Sequence, residues 1–296
     1  MGSSSGQFLR YLRQEKRYSV HTLTAYENDL RQFDSYIAEQ YDDSDPLHAD
    51  VSIIRSWFAS LMSDGYSRGS INRKMSTLKS FYRYHFKTGS IGRNPMDKLR
   101  SVRPGRKLPV FVQEDRLADL FDIRGFSKDF PGLRDLLMME LLYTTGMRLS
   151  ELLNLKHTDV DAYNGSVRVT GKRNKQRMIP LLDQVRETYR KYCEEKEARF
   201  GSGVAPEVLV TDKGKKLYPG FVYRRVIFYL RQVTTRAKKS PHVLRHSFAT
   251  HMLDHGADLN AIKEILGHAS LAATQVYTHN TIEKIKTIYK QAHPKA

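Results

Sequence analysis

Apolar side chains recur at steps of three and four in three stretches near the start of the chain. Leu23, Tyr26, Leu30, Phe33 and Ile37 follow Ser19, a residue suited to an N-cap, and predict an amphipathic helix. Val51, Ile54, Phe58 and Leu61 predict a second that stops near Gly65. Ile71, Met75, Leu78 and Tyr82 predict a third that stops near Gly89, with Arg73, Lys74, Lys79 and Arg83 on its outward face. Residues 1–6 read as a flexible lead-in. The step Gly92-Arg93-Asn94-Pro95 breaks the helical pattern, and residues 99–111 mix Pro, Gly and basic residues as a linker does.

Beyond the linker, residues 114–121 and 133–145 predict helices. The second is almost wholly apolar (LLMMELLY) and so belongs in the core of a larger domain. Gly146 stops it. Arg148 then stands between that buried helix and Leu149, Leu152 and Leu153. An arginine at such an edge is either a core salt-bridge partner or a ligand for an anion, and Glu151, one turn on, can orient it. Alternation over 166–170 and 177–181, around the sequence GKRNKQ, predicts a β-hairpin with Lys172, Arg173 and Lys175 at its tip. A short strand at 208–211 and a helix across 218–237 follow.

From Ser240 the pattern becomes a series of short helices. Pro241 suits a first helical position, and the helix runs to Gly256 with His242 and Arg245 on one face. Asp258 can cap the next, with Ile262 and Leu266 buried, Gly267 as its end and His268 in the turn. Ser270 can cap a third that carries Tyr277 in its last turn. After Asn280 and Glu283, which match a capping box, Ile282, Ile285 and Ile288 stripe a last helix suited to docking on a neighbouring molecule. The whole predicts a mainly α protein. An all-α amino-terminal domain (1–99) and a linker (100–112) precede an α+β domain (113–296) with a small antiparallel sheet.

Charge narrows the partner. The 296 residues hold 49 Lys and Arg against 32 Asp and Glu, a formal net charge of +17. The excess is divided between both domains, so a polyanion touching both is the simplest partner. Candidate phosphate contacts are Arg73, Lys74, Lys79 and Arg83 on the third helix, Arg103, Arg106 and Lys107 in the linker, and Arg173 and Lys175 at the hairpin tip. The single cysteine, Cys193, excludes a disulfide framework and a thiolate metal site, and fits a cytoplasmic setting. No apolar run reaches membrane-spanning length, and the first residues lack the apolar core of a signal peptide.

His242 and His246 have the spacing of a zinc-binding helix. However, Val243 stands where a general-base glutamate belongs, and Arg245 sets a fixed positive charge beside the supposed ligands. No metal site is expected. A phosphodiester fits the same residues better. Its cleavage builds negative charge on non-bridging oxygens, which the forked donors of Arg148 and Arg245 suit. His242 and His268 can move a proton or bond an oxyanion, Lys172 can protonate a leaving 5′-oxygen, and the phenol of Tyr277 can attack to form a phosphotyrosyl ester. Such chemistry needs no cofactor, because the cations are side chains.

In this order, the segments TGMRLSEL, GKRNKQR, HVLRHSFATHML and LGHASLAATQVYTH resemble the tyrosine recombinase (phage-integrase) family, whose pattern is Arg, Lys, His-x-x-Arg, His, Tyr. Arg148, Lys172, His242, Arg245, His268 and Tyr277 fill all six positions, and Glu151 matches the family's acidic bracing position. FLRYLRQEKRYSVHTLTAYENDLRQF and the NP step resemble the family's SAM-like core-binding domain, so the likeness covers nearly the whole chain. The short build is most similar to the Xer site-specific recombinases.

The resemblance implies a two-domain clamp around double-stranded DNA. It implies strand exchange through a 3′-phosphotyrosyl intermediate and a Holliday junction. It further implies a homo- or hetero-tetramer with the same or a paralogous recombinase, a DNA translocase as activator, and a cytoplasmic, nucleoid-associated role in chromosome dimer resolution and partition at cell division. An integrase or transposase of a mobile element, and a type IB topoisomerase-like strand transferase, remain open alternatives. So does a non-catalytic DNA-binding relative, although no position of the pattern is broken.

Overall fold

The apolar stripes near the start of the chain fold as helices that bury them against one another. The protein is seen here as a computed structural model, which describes residues 3–41, 45–102, 110–122, 125–171, 174–201, 204–235, 239–267, 287–289 and 291–295. The chain divides into two compact units, Met1–Lys107 and Leu108–Ala296. Helices α1 (Ser3–Gln14), α2 (Val20–Tyr41), α3 (Val51–Ser63) and α4 (Arg68–Lys87) build the first. Ser19 receives the Thr22 amide at the start of α2, and Asp50 receives the amides of Ser52 and Ile53 at the start of α3. Leu30, Phe33, Ile37, Ile54, Trp57, Ile71, Leu78 and Phe81 fill the core.

Two expectations for this unit change. Residues 3–14 are helical, with Phe8 and Leu12 in the core and Ser4 and Ser5 buried, so the lead-in reading fails for residues 3–6. Lys74 does not face outward. It is 3 % exposed, and its ammonium donates to Asp29 at 2.9 Å and to Gln32. The carboxylate of Asp29, fully buried, needs that charge, and so draws Lys74 inward. Arg73 and Arg83 are exposed and Lys79 is half-buried.

The second unit is built around α6 (Phe130–Thr144), whose Leu137, Met138, Leu141, Leu142 and Tyr143 are buried. Among the described residues it also holds α5 (Glu114–Asp122), α7 (Leu149–Leu153), α8 (Asp183–Phe200), α9 (Pro219–Val233), α10 (Pro241–Asp254) and α11 (Leu259–Leu266). Helices α8 and α10 pack on α6, and α11 packs on α10. A three-stranded antiparallel sheet joins β1 (Val160–Asp161), β2 (Ser166–Thr170) and β3 (Gln176–Pro180) in that order. Val169 pairs with Arg177 across the hairpin, and the Gly171 amide donates to the Lys175 carbonyl at 2.8 Å to close its turn.

Residues 208–211 form no strand of their own. Val210 makes an isolated bridge to Lys216. The helix expected across 218–237 stops at Val233, where Thr234 is extended. Helix α8 and strand β1 were not foreseen. At the carboxy-terminal end, Tyr289 and Ala292 are buried in their own unit, and the Tyr289 hydroxyl donates to the Thr144 carbonyl at 2.6 Å. Of the stripe predicted to dock on a neighbour, Ile282 and Ile285 lie outside the described residues. No helix among the described residues is long and apolar enough to cross a membrane.

Candidate active site

The site begins where α6 ends. Gly146 turns the chain in the left-handed region, at φ +58, and leads into Arg148, the N-cap of α7. Glu151 holds Arg148 at two points. Its carboxylate accepts the Arg148 backbone amide at 2.7 Å and the Arg148 Nη1 at 2.9 Å. The second arginine comes from α10, entered through Ser240 and Pro241 as the sequence predicts. Arg245 donates to the Gly146 carbonyl at 2.5 Å and to the Leu266 carbonyl at 2.7 Å. Arg148 Nη2 donates to the next carbonyl, Gly267, at 3.1 Å. The two guanidiniums, 97 positions apart in sequence by their numbers, therefore meet at one helix end.

That helix is α11. Asp258 caps its start by accepting the amides of Asn260 and Ala261, and Gly267 ends it in the left-handed region at φ +63. Its last carbonyls have no partners within the helix and carry the negative end of its dipole. Cations gather there. Burial, followed by the charges of Arg148 and Arg177, lowers Arg245 to about 10, although Glu151 opposes the shift. Glu151 is itself buried. Burial alone raises a carboxyl group, but bonds and charge from Arg177, and bonds from Arg148, hold it below the ordinary range.

Arg177 is the residue that the sequence reading missed. Its side chain is 5 % exposed on β3, and it grips both oxygens of Glu151 at 2.9 Å. A signal was available: Arg177 shares its strand face with buried Ile179, opposite buried Val167 and Val169. A basic residue on an inward face requires an acid beside it.

The structure thus brings Arg148, Glu151 and Arg245 together. His242 is exposed one turn before Arg245 on α10. Lys172, His268 and Tyr277 lie outside the described residues, as do Arg103, Arg106, Lys107 and Arg173. Lys175 is exposed beside the hairpin turn. A cavity of about 860 Å³ lined by His157, Tyr189, Cys193 and Lys196 contains none of the site residues. Burial pushes the Cys193 thiol up, which makes it a poor nucleophile. The arginine pair sits instead on partly open surface, with the Arg148 side chain 38 % exposed. Such a place suits one phosphate of a long polymer better than a small molecule that must be enclosed.

Residues 112–284 match the phage integrase family, and residues 6–89 match the phage integrase N-terminal SAM-like domain. The chain is 38 % identical over 316 residues to tyrosine recombinase XerC of Chlorobaculum tepidum, covering 98 % of this chain and 94 % of that one. It is 35 % identical over 291 residues to tyrosine recombinase XerD of Staphylococcus aureus, covering 98 % of each. Two solved structures share the fold. XerH site-specific recombinase bound to a palindromic difH substrate has a TM-score of 0.73 at 23 % identity, covering 97 % of this chain and 84 % of that one. A lambda integrase (75–356) dimer bound to a COC' core site has a TM-score of 0.69 at 18 % identity, covering 93 % and 98 %. With its arginines joined at one helix end and 98 % of its length matched by these relatives, the chain belongs to the phage integrase family of tyrosine recombinases, enzymes that transfer DNA strands.

Proposed function

We propose that this chain is an Xer-type site-specific recombinase that cuts and rejoins double-stranded DNA through Tyr277. The observation that carries the reading is the meeting of Arg148 and Arg245 at the end of α11, with Glu151 fixing the first. Each guanidinium bonds through its two terminal nitrogens and retains further N–H groups for the non-bridging oxygens of a scissile phosphate. The Tyr277 oxygen bonds to phosphorus as the bond to the 5′-oxygen breaks. The phenol proton passes to a base, for which His242 and His268 are the candidates, and Lys172 supplies the proton taken by the leaving 5′-oxygen. A 3′-phosphotyrosyl ester and a free 5′-hydroxyl result. The corresponding hydroxyl of a partner duplex then attacks the ester, releases Tyr277 and builds a Holliday junction.

In this reading residues 1–99 and 113–296 are the two DNA-binding units, joined by 100–112. Arg73, Lys79, Arg83, Arg103, Arg106, Lys107, Arg173 and Lys175 contact phosphates. Four protomers, of this chain or of this chain and a paralogue, synapse two sites, and a DNA translocase activates them. From its likeness to proteins named XerC and XerD, we read its role as chromosome dimer resolution in the cytoplasm, at the nucleoid, rather than integration of a mobile element. The test is covalent trapping on a nicked duplex that loses its 5′-hydroxyl strand after cleavage. Wild type forms a denaturant-resistant adduct and Tyr277→Phe forms none. An adduct with Tyr277→Phe removes Tyr277 as the nucleophile.

A further inference from the structure

We propose that Arg177 is a positioning residue for DNA cleavage, an inference that rests on the recombinase reading above. Its guanidinium cannot itself hold a phosphate. Nη1 and Nη2 donate to the two oxygens of Glu151 at 2.9 Å, and Nε donates to the Ile265 carbonyl at 2.6 Å. Three of its five N–H groups are so used, and burial of the side chain, 5 % exposed, closes the other two to a phosphate, so any effect on the reaction runs through what it touches.

What it touches is the frame of the site. Glu151 carries Arg148. Strand β3 is one arm of the hairpin, and Lys172 stands between β2 and β3 in the sequence. Helix α11 leads directly to His268. At its end, three successive carbonyls accept from three different arginines: Ile265 from Arg177, Leu266 from Arg245 and Gly267 from Arg148. One buried guanidinium therefore sets α7, the hairpin and α11 at fixed separations. Gly267 is fitted to this brace, since a Cβ there would stand 3.2 Å from the Cδ and Nη1 of Arg177. Lysine cannot replace the brace, because a point charge has no fork to span a carboxylate and a carbonyl together.

The test compares wild type, Arg177→Met, Arg177→Lys and Glu151→Gln on a nicked duplex taken from a randomised library by wild-type binding. Single-turnover cleavage and affinity are measured at one salt concentration, with the fold checked by circular dichroism. Both Arg177 variants cleave about 100-fold slower, the scale expected of a misplaced catalytic group, while affinity stays within about threefold. Combining Arg177→Met with Glu151→Gln slows cleavage no more than the worse single change, because one residue acts through the other. Arg177→Gln, which removes the fork but keeps a polar group beside Glu151, also slows cleavage and serves if Arg177→Met does not fold. Cleavage within about threefold of wild type in a folded Arg177 variant overturns the proposal, as do additive costs in the double variant. Equal losses of affinity and of cleavage overturn it too. Absence of any adduct with wild type overturns the recombinase reading instead, and this inference with it.

Discussion

Replacing Gly146 with alanine separates two costs that a left-handed glycine hides. At φ +58 an added Cβ brings backbone strain of about 1–2 kcal/mol. It also stands 2.7 Å from Phe248 Cδ1 and 2.8 Å from Leu266 Cδ2, closer than real contacts allow. Both neighbours are buried, so forcing them apart adds overpacking of about 1–3 kcal/mol. Gly256 supplies the control, with φ +81 and nothing within 4 Å of the place its Cβ would take, so Gly256→Ala bears the strain alone. The expected difference between the two variants is the overpacking, about 1–3 kcal/mol, or a urea midpoint lower by on the order of 1 M. The only tryptophan, Trp57, lies in the first unit, so its fluorescence does not follow this change. Far-UV circular dichroism sums the helices of both units, so the second unit's change is the part of that signal that Trp57 fluorescence does not share, and an unmoved Trp57 transition shows that the damage is local. Equal midpoints for Gly146→Ala and Gly256→Ala would refute the reasoning, since Phe248 and Leu266 would then have room to yield.

Lys74→Met removes one of the cations on the buried carboxylate of Asp29, leaving Arg73 and Thr77. The first unit should lose about 3 kcal/mol, read by Trp57 fluorescence in urea, and an unchanged midpoint would return Lys74 to the surface. Tyr289→Phe leaves the buried Thr144 carbonyl without its donor and should cost about 1–3 kcal/mol of carboxy-terminal docking, measured by hydrogen exchange. The same docking is sensitive to acid. Burial first, then the charges of Lys295, His251 and His255, push His293 down to about 3 from an ordinary 6.5. His251 is also lowered, chiefly by burial. The undocked segment therefore binds a proton on His293 that the docked one refuses, and this contribution to docking weakens as pH falls below about 6.5. Equal protection of this segment at pH 7 and pH 5 counts against that account.

The parts of the fold legible in the sequence are those whose buried faces are apolar throughout. Helices α2, α3, α4 and α6 announce themselves this way. Helix α1 does not, because Ser4 and Ser5 are buried through hydrogen bonds to Asp45 and Asp34, partners some distance along the chain. Helix α8 buries Val185, Thr188, Tyr192 and Lys196, a stripe at helical spacing in which half the residues are polar. Lys196 is tolerated there because the Glu207 and Val208 carbonyls accept from its ammonium, at 2.7 and 3.2 Å. In the site, the order of motifs was enough to pair Arg148 with Arg245. It was not enough for Arg177, whose place depends on meeting Glu151 of helix α7. Local pattern records which face a residue occupies, but not the distant partner that makes a buried charge stable.

The arginines of the site also serve the fold, which changes how their loss should be read. A helix end leaves carbonyls without intrahelical partners, and water usually satisfies them. Here the acceptors for Arg245 and Arg148 include the carbonyls of Gly146 and Gly267, two residues in the left-handed region. Leu266 lies against the Cβ position of Gly146, so the two glycine turns pack together and present their carbonyls to the arginines from adjacent places. Three guanidiniums thus share one carboxylate and four carbonyls. The formal charge left over is positive, and after burial, the larger cause, the neighbouring charges of Arg148 and Arg177 lower Arg245 further. An arriving phosphate relieves that repulsion. On the recombinase reading proposed above, the anion site is consequently assembled before DNA is bound, held by the same contacts that end α6 and α11, and a change to either arginine disturbs the turn that positions the other.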